Sequence, residues 1–346
     1  MTDTILDFRS DTVTKPTADM LQAMMSARVG DDVYQEDPTV IELEQEVAAL
    51  FGQEAGLFCV SGTMSNQLAV MAQTRPGQEV ICSDLCHIYH YEAGGLAANS
   101  GVQVNLIHHA EKPGHFTLEQ VQERLRDDTD VHLTPTAMVA VEDTSNRGGG
   151  TVWDTSTLEE LSAYARKHNV SFHLDGARVW NRLAKLGEDS VEYGKRFDSI
   201  SVCLSKGLGA PMGSVLLGNR EMIRQARWFR KRLGGGVRQA GYIAAAGLYA
   251  VRHHRGDALR ADHTHARTLA KLLEQSSLCI EVQEPETNIV LAKMHDAAKF
   301  KATCKQEGVL LSTIDKHWVR FVTHQDVRME RAYVDVERML SKLEPS

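Results

Sequence analysis

Short apolar runs alternate with amphipathic stretches along most of the chain. Runs of the length expected for buried strands recur at 79–82, 103–107, 138–141, 170–174 and 200–204. Between several of them apolar residues repeat at helical spacing, as they also do over residues 41–50. Because strands that alternate with helices favour a parallel sheet, the pattern predicts an α/β fold with a mainly parallel, doubly wound sheet.

The pattern changes in the last third of the chain. The alanine-rich segment 239–251 predicts a long helix, and the strand runs at 289–291 and 319–322 lie apart from the first series. We therefore predict a large domain over residues 1–251 and a smaller α+β domain over residues 252–346. The length of 346 residues suits about two domains.

Composition and charge narrow the classes of function. A formal net charge of −8 does not indicate nucleic-acid binding, and no apolar run approaches the ~18 residues of a membrane span. Residues 1–4 contain neither a basic region nor an apolar signal core. Six cysteines in a chain of this length do not form a disulfide framework, so we expect reduced thiols and a cytoplasmic protein.

A lysine stands just after the last of the five strand runs. Lys206 follows the apolar segment 200–204 and is followed by Gly207 and Gly209. A partly desolvated lysine has a lowered pKa, and its free amine reacts with carbonyl compounds. The glycines allow a bulky ligand to approach. We hypothesise that Lys206 binds an aldehyde cofactor, pyridoxal 5'-phosphate; the alternative is a loop lysine whose stem reaches water.

Two earlier segments provide what such a cofactor requires. Asp175 ends another apolar strand, and an acid in this position would keep the pyridine nitrogen protonated. Ser61, Gly62 and Thr63 lead into a predicted helix, whose first backbone amides suit a phosphate. The alternative in both segments is an ordinary helix N-cap.

The order of these segments along the chain resembles the aspartate aminotransferase superfamily of pyridoxal enzymes, and more closely the threonine aldolases. Segments that resemble motifs of that family are 7–14, 30–39, 61–63, 92–95, 175–178, 205–209, 234–239 and 319–324, together with His87. They span nearly the whole chain. Each motif is weak alone, but the set is highly specific.

The resemblance implies a cofactor site on the large domain. Lys206 would bind pyridoxal 5'-phosphate covalently, and Asp175 would pair with its pyridine nitrogen. Gly62 and Thr63 would hold the phosphate, and His87 would stack on the ring. Each residue stands in a segment that matches a motif of the family.

The resemblance also implies a substrate site and a partner subunit. Ser10, Arg178 and Arg320 would bind the substrate carboxylate, which arginine does bidentately. Without the family, a structural ion pair is the simpler interpretation of Arg320. Lys231 and Arg238 would reach the phosphate bound to a neighbouring subunit, within a homotetramer built from dimers. The alternative for these two residues is a solvated basic face.

The implied reaction is the retro-aldol cleavage of a β-hydroxy-α-amino acid, such as threonine, to glycine and an aldehyde. A base must remove the β-hydroxyl proton, and His87, His132 and a water molecule are the candidates. Without the family, His132 is equally well interpreted as a surface histidine. The sequence leaves threonine, allo-threonine and β-aryl substrates open.

One segment departs from the pattern of the family. Residues 142–145 are Glu-Asp-Thr-Ser, where the family commonly has Glu-Asn-Thr-His. Asp143 would therefore place a further negative charge beside the expected cofactor position and alter nearby pKa values.

Other functions remain as alternatives. A β-eliminating lyase or an aminotransferase on the same fold would use the same cofactor, and a non-catalytic binding protein would retain only the fold. The cluster Cys82, Cys86, His87 and His90 contains four possible zinc ligands. It lacks the glycines of a zinc knuckle, and Cys82 ends an apolar strand, so we expect no metal site there.

Overall fold

The computed structural model describes residues 5–109 and 111–343. Residues 1–4, on which the prediction of no signal segment rests, lie outside the described residues. The strands of the described part are β1 (Leu6–Asp7), β2 (Ala55–Cys59), β3 (Glu79–Ser83), β4 (Gln103–Ile107), β5 (Thr136–Glu142), β6 (Ser171–Gly176), β7 (Ser199–Cys203), β8 (Ser214–Gly218), β9 (Cys279–Gln283), β10 (Ile289–Met294), β11 (Val309–Leu310), β12 (Ser312–Thr313) and β13 (Trp318–Val322). The helices are α1 (Ala18–Met25), α2 (Pro38–Leu50), α3 (Gly62–Gln73), α4 (His87–His90), α5 (Gly95–Ser100), α6 (Leu118–Gln122), α7 (Thr155–Lys167), α8 (Val179–Leu186), α9 (Ser190–Gly194), α10 (Arg220–Arg232), α11 (Gly241–His253), α12 (Asp257–Glu274), α13 (Ala297–Gln306) and α14 (Met329–Leu343). Single 3-10 turns lie at Asp11–Val13 and Asp32–Tyr34.

A seven-stranded sheet forms the centre of the molecule, with the strand order β2-β8-β7-β6-β5-β3-β4. Strands β3 to β7 pair in parallel, and β8 is antiparallel to both of its neighbours. The five predicted strand runs correspond to β3, β4, β5, β6 and β7. The prediction of a mainly parallel sheet is therefore confirmed, although it did not include β8.

Helices cover both faces of this sheet. Successive side chains of a strand point to opposite faces, so neighbouring residues pack in different cores. Leu57 of β2 packs in a core with residues of α3 and α10. Phe58, the next residue, belongs to the larger core on the other face, which includes Leu43 of α2 and Ala244 of α11. This arrangement confirms the doubly wound fold.

A second, antiparallel sheet has the order β12-β13-β10-β9 and packs with α12, α13 and α14 around its own core. The first strand of the chain also belongs here, since β1 pairs in parallel with β11 and Leu6 and Phe8 lie in the second core. The long helix predicted at 239–251 is α11, displaced by two residues. The domain boundary near residue 251 stays a prediction.

The topology places the predicted site at one edge of the large sheet. Parallel strands β2, β3, β5, β6 and β7 all end at this edge, where ligands bind in open α/β sheets. Strand β13 of the second sheet carries Arg320 to the same place, and the segment after β1 carries Ser10. Among helices within 5–109 and 111–343, none is both long enough and apolar enough to cross a membrane.

Candidate active site

A cavity of about 330 Å³ at this edge brings five of the predicted site residues together. Its lining includes Ser10, His87, Arg178, Lys206 and Arg320. The other lining residues, which the sequence did not predict, are Thr12, Tyr91, Glu142, Asn146, Ser312, Thr313 and Ile314. The residues come from both sheets, so the cavity forms only when the two parts of the chain pack together.

Lys206 lies in a turn that follows β7. Its carbonyl oxygen accepts hydrogen bonds from Thr14 Oγ1 at 2.9 Å and from the Gly209 backbone N–H at 2.8 Å. Gly209 has a φ of +79°, which favours glycine in this turn. Within the described residues the half-buried ammonium of Lys206 forms no hydrogen bond and no ion pair. The side chain of Lys206 therefore lines the cavity without a protein partner among the described residues.

Asp175 lies at the carboxyl end of β6, and its two carboxylate oxygens have different partners. Oδ1 accepts the backbone N–H of Ala177 at 3.1 Å, a local bond like the N-cap that the sequence left open. Oδ2 accepts from Asn66 Nδ2 at 2.9 Å. The neighbouring His173 is neutral at physiological pH, because burial lowers its pKa to about 4. Asp175 is therefore a buried carboxyl group at the sheet edge whose two oxygens each accept a hydrogen bond.

The amino end of α3 has unpaired hydroxyl groups. Ser61 caps the helix by accepting the Met64 backbone N–H at 3.1 Å, so the N-cap interpretation is confirmed for Ser61. In the first turn and the adjacent strand, the buried Oγ atoms of Ser65 and Ser214 have no hydrogen-bond partner. A Cβ added to Gly62 would lie 3.6 Å from Ser214 Oγ. Free hydroxyls at a helix N-terminus fit a phosphate group.

His87 begins α4 and lies against three carboxylates. Its Nδ1 is 3.1 Å from Glu92 Oε1, and its backbone N–H donates to Glu142 Oε2 at 2.8 Å. Burial lowers the pKa of the imidazole, but the Glu92 hydrogen bond and the charges of Asp175, Glu142 and Glu92 outweigh it, so the pKa is raised. The three carboxylates therefore favour the protonated form of the His87 imidazole.

The two cavity arginines differ in their partners. Arg178 donates through Nε and Nη2 to both oxygens of Asp11, at 2.9 and 2.7 Å. Burial raises the pKa of Asp11, but this guanidinium more than offsets it and lowers the pKa to about 2. Among the described residues, Arg320 donates only to neutral oxygens, Asn146 Oδ1 at 2.8 Å and the Arg9 carbonyl at 3.1 Å, and its buried Nε has no partner there.

Arg320 lacks an acidic partner among the described residues, and its pKa is lowered. Burial and then the nearby charge of Arg178 lower its pKa to about 10. No ion pair of Arg320 occurs among the residues that the structure describes, so the structural ion pair that the sequence left open is not found. Asn146 Oδ1 also accepts from Arg178 Nη1 at 3.1 Å and thus joins the two guanidinium groups. The cavity offers an uncompensated positive charge to an anion.

Six predicted site residues do not line the cavity. Asp175 is buried at the end of β6, and the half-buried Gly62 and Thr63 begin α3. The other three lie at the surface. His132 is in an exposed turn before β5, with 86% of its side chain exposed and Nδ1 2.9 Å from Asp130 Oδ1. Lys231 and Arg238 are also exposed, and Arg238 pairs with Asp31 at 2.9 Å. Their predicted roles remain predictions.

The structure corrects the expectation for Asp143. Its buried carboxylate accepts from Arg182 Nη1 at 2.7 Å and from Tyr193 Oη at 2.9 Å, and it does not line the cavity. Burial, more than these partners, sets its pKa, which is raised to about 6. Neighbouring residues at a strand end point to opposite sides, so Glu142 faces the cavity and Asp143 points away from it.

Sequence reasoning missed the polar residues that hold the site together. Asp11 and Glu92 stand inside segments that resembled family motifs, yet neither had an assigned role. Glu142 is the first residue of the segment 142–145 that departs from the pattern of the family, and Asn146 follows this segment directly. Buried acids within such motifs were the available signal, since an isolated buried carboxylate is costly and requires a partner.

Possible metal ligands come together at one place in the described residues. Atoms of His87, Glu92 and Asp175 lie within 4.8 Å of one another. His90, part of the zinc hypothesis, instead has Nε2 2.6 Å from the Asp84 carbonyl oxygen. The His87, Glu92 and Asp175 group belongs to the polar network behind the cavity.

Comparisons with known proteins cover nearly the whole chain. The family described as Beta-eliminating lyase matches residues 7–297. The "Probable low-specificity L-threonine aldolase 2" of Arabidopsis thaliana is 39% identical over 347 residues, which cover 98% of this chain and 96% of the relative. The "Low specificity L-threonine aldolase" of Escherichia coli (strain K12) is 38% identical over 329 residues, with 94% and 96% covered.

Solved structures share the fold at lower sequence identity. A threonine aldolase from Leishmania major superposes with a TM-score of 0.81 at 19% identity, over 96% of this chain and 98% of that chain. An aspartate aminotransferase from Thermotoga maritima gives a TM-score of 0.72 at 16% identity, over 98% and 92%. The arrangement of two sheets is therefore shared with both proteins.

Proposed function

The chain belongs to the Beta-eliminating lyase family, and on this premise we propose that it is a pyridoxal-phosphate-dependent aldolase. Its substrates are L-threonine, L-allo-threonine and related β-hydroxy-α-amino acids, and its products are glycine and an aldehyde. Relatives that are 38–40% identical carry the name of low-specificity L-threonine aldolase. One observation carries the proposal: Lys206 and Arg320, which form no ion pair with an acid in the described part of the chain, line the same cavity.

The described residues fit the cofactor of this family. When bound, pyridoxal phosphate accepts the electron pair that is released as the Cα–Cβ bond breaks. The residues proposed to hold it are Lys206 at the aldehyde, Asp175 at the pyridine nitrogen, His87 at the ring, and Gly62, Thr63, Ser65 and Ser214 at the phosphate. The unpaired hydroxyls of the two serines support this assignment.

The substrate carboxylate binds at Arg320, supported by Ser10. Arg178 is already neutralised by Asp11, so it contributes mainly by fixing Asn146, which in turn positions Arg320. Binding of the carboxylate at Arg320 places the α-amino group of the substrate toward Lys206. Remote binding of the carboxylate fixes the orientation of the Cα–Cβ bond.

The β-hydroxyl proton is removed by a base near neutral pH. Within one chain His87 is the histidine that lines the cavity, and its raised pKa suits proton transfer. His132 is the second candidate, and it would have to act on the site of a neighbouring subunit. A positioned base contributes roughly 10²- to 10⁴-fold, so replacing the true base slows turnover by this order.

The proposal is tested by absorbance and product analysis of the purified protein with pyridoxal phosphate. We expect an absorbance band near the border between the ultraviolet and visible ranges, and we expect Lys206→Ala to lose it. Lys299 is an exposed lysine on α13, so the control variant Lys299→Ala should retain the band. With L-threonine or L-allo-threonine we expect glycine and acetaldehyde. Ammonia with a keto acid would instead indicate β-elimination, and amine transfer to an added keto acid would indicate an aminotransferase. Cofactor binding without turnover would favour a binding protein.

We further propose a cytoplasmic homotetramer, a dimer of dimers. Tyr34, Val237 and Tyr242 are large exposed apolar side chains on neighbouring segments. These segments are joined by a hydrogen bond from the Asp32 backbone N–H to the Arg238 carbonyl oxygen at 2.9 Å. Light scattering should give about four times the chain mass of 38.4 kDa. A mass of one chain would reject the proposal.

A further inference from the structure

A buried polar network lies directly behind His87. Glu92, whose side chain is fully buried, accepts at Oε1 from Asn66 Nδ2 at 2.8 Å, and the same atom is 3.1 Å from His87 Nδ1. Its Oε2 accepts from Gln67 Nε2 at 2.7 Å. The second hydrogen of Asn66 Nδ2 is donated to Asp175 Oδ2 at 2.9 Å. Glu92 does not line the cavity, so it reaches the cavity only through His87.

Among the described residues, His87 is the one partner of Glu92 that can carry a positive charge. The other two partners of Glu92 are neutral amides, and no lysine or arginine forms an ion pair with it. The buried Glu79 on β3 differs, because Arg126 pairs with it at 3.3 Å. A buried carboxylate without a cation is costly, and His87 is the group that can supply a positive charge next to Glu92.

The direction of the hydrogen bond determines which ring nitrogen is free. A carboxylate only accepts hydrogen bonds, so Nδ1 of His87 carries a proton in both the neutral and the charged ring. Nε2 then gains and loses the second proton. Within the described residues Nε2 has no hydrogen-bond partner, and the ring lines the cavity.

We propose that Glu92 is a positioning residue, which holds His87 with Nδ1 protonated so that Nε2 is the atom that exchanges a proton with the substrate. This inference rests on the proposed function for its catalytic meaning. Asn66 extends the contact to Asp175 and thereby keeps the histidine and the residue proposed for the pyridine nitrogen in fixed relative positions.

Several other groups influence the same imidazole. The titratable side chains that face or surround His87 are Glu92, Asp175 and Glu142, the ring neighbour Tyr91, and the basic residues of the cavity, Lys206, Arg178 and Arg320. Burial lowers the pKa of His87, and the Glu92 hydrogen bond is the largest of the effects that raise it. Removing the Glu92 charge therefore lowers the pKa of His87, since only the charges of Asp175 and Glu142 then remain to raise it.

The test compares wild type, Glu92→Gln, Glu92→Asp and the control Glu79→Gln as holoenzymes. Nitrogen-15 NMR of labelled histidine, with His87 assigned by His87→Asn, reports both the tautomer and the pKa. We expect the Nδ1–H tautomer in the wild type, a lower His87 pKa in Glu92→Gln, and partial recovery in Glu92→Asp. The buried control should leave the signal unchanged. An Nε2–H tautomer, or an equal pKa in Glu92→Gln, would overturn the inference.

The pH profile of kcat/KM gives a second, independent measurement of how Glu92 affects the pKa of His87. A base must be unprotonated, so a lower His87 pKa moves the acid limb of the profile to lower pH in Glu92→Gln. The plateau should fall roughly ten- to hundred-fold, as part of the contribution of the base is lost. An unmoved limb in the folded variant would contradict the role. A wild type that cleaves no substrate would overturn the proposed function instead, while the NMR comparison still decides whether Glu92 holds the ring.

Discussion

The two arginines of the cavity differ in the charge that remains available to a substrate. The charge of Arg178 is compensated by Asp11 through two short hydrogen bonds. Arg320 has only neutral acceptors and an unpaired Nε. A substrate carboxylate therefore gains more at Arg320, because it replaces missing contacts there and would compete with an existing ion pair at Arg178.

Arg320→Ala should mainly raise KM. Hydrogen bonds to charged groups contribute ~1.5–3 kcal/mol, which corresponds to roughly 10- to 150-fold in KM. Arg320→Lys should recover part of the loss, since a single ammonium cannot form the bidentate contact. Steady-state kinetics with L-threonine checks both variants. The control is Arg9→Ala, whose exposed guanidinium pairs with Asp7; an equal rise in both alanine variants would show a general disturbance.

Asp11→Asn should destabilise the protein at neutral pH. The pKa of Asp11 is lowered to about 2, so its ionised form favours the folded state, by roughly 2–3 kcal/mol. This stability is complete above the ordinary pKa near 4 and is lost as the pH falls toward 2. Thermal unfolding midpoints should therefore differ most at pH 7 and converge in acid. A difference that does not depend on pH would contradict the ion-pair explanation.

The positions of Lys206 and Asp175 relative to the strands could be predicted from the sequence, while their roles stay predictions. Lys206 and Asp175 both follow buried strands, and the structure places them at the same sheet edge. Sequence reasoning failed for Asn146, because its partners Arg178 and Arg320 are 32 and 174 positions away. It also failed for Glu92, which contacts the nearby His87 but also Asn66, 26 positions away. It also misplaced the charge of Asp143, since the sequence does not tell which side of a strand end faces a ligand.

At the scale of elements, the amino end of α2 is a junction of three segments. Oδ1 of the buried Asp37 accepts the backbone N–H groups of Thr39 and Val40, both at 3.1 Å. Oδ2 accepts those of Gly30 at 3.2 Å and Gly241 at 2.9 Å. A Cβ at Gly241 would lie 2.4 Å from Oδ1, so α11 begins where only glycine fits.

Asp37→Ala should therefore cost more than the loss of an ordinary helix cap. An N-cap contributes ~0.5–2 kcal/mol, and two further buried amides would lose their acceptor at about 1–3 kcal/mol each. The matched control is Asp189→Ala on α9, where an exposed carboxylate caps only its own helix. Thermal unfolding at fixed protein concentration compares the two variants. Equal losses would show that Asp37 acts as a cap alone.

The elements themselves were predictable to different degrees. Strands β3 to β7 have the short apolar runs of a buried parallel sheet, and α11 has a continuous alanine-rich pattern. β8 was missed, and its antiparallel direction follows from the short turn 204–213, in which the Leu204 backbone N–H donates to the Gly213 carbonyl oxygen at 3.0 Å. A local apolar pattern does not contain that direction.

At the scale of the whole molecule, the site depends on parts of the chain that are far apart in sequence. Ser10 follows β1, which pairs with β11 near the carboxyl end, and Arg320 lies on β13 of the second sheet. Lys231 and Arg238 lie outside the cavity of their own chain and are exposed. Their proposed contact with a phosphate therefore requires that two subunits share each site.

Hybrid oligomers of Lys206→Ala and Arg238→Ala chains test this sharing directly. In a mixed dimer with shared sites, one site has both Lys206 and Arg238, and the other site has neither. Random pairing of equal amounts should then restore about a quarter of the wild-type sites, because a twofold axis makes the two sites equivalent. Co-expression of the two chains in equal amounts gives this mixture, and its cofactor absorbance and aldolase activity measure the recovery.

The opposite result is equally clear, because each parental homo-oligomer carries a single kind of defect. If Arg238 served only the site of its own chain, every site of the hybrid would retain one defect and no activity would return beyond that of the parents. Arg238 would then have no role at a neighbouring site, and its exposed ion pair with Asp31 is of a kind that contributes only about 0–1 kcal/mol. Recovery in the hybrid therefore separates a shared active site from a solvated basic surface.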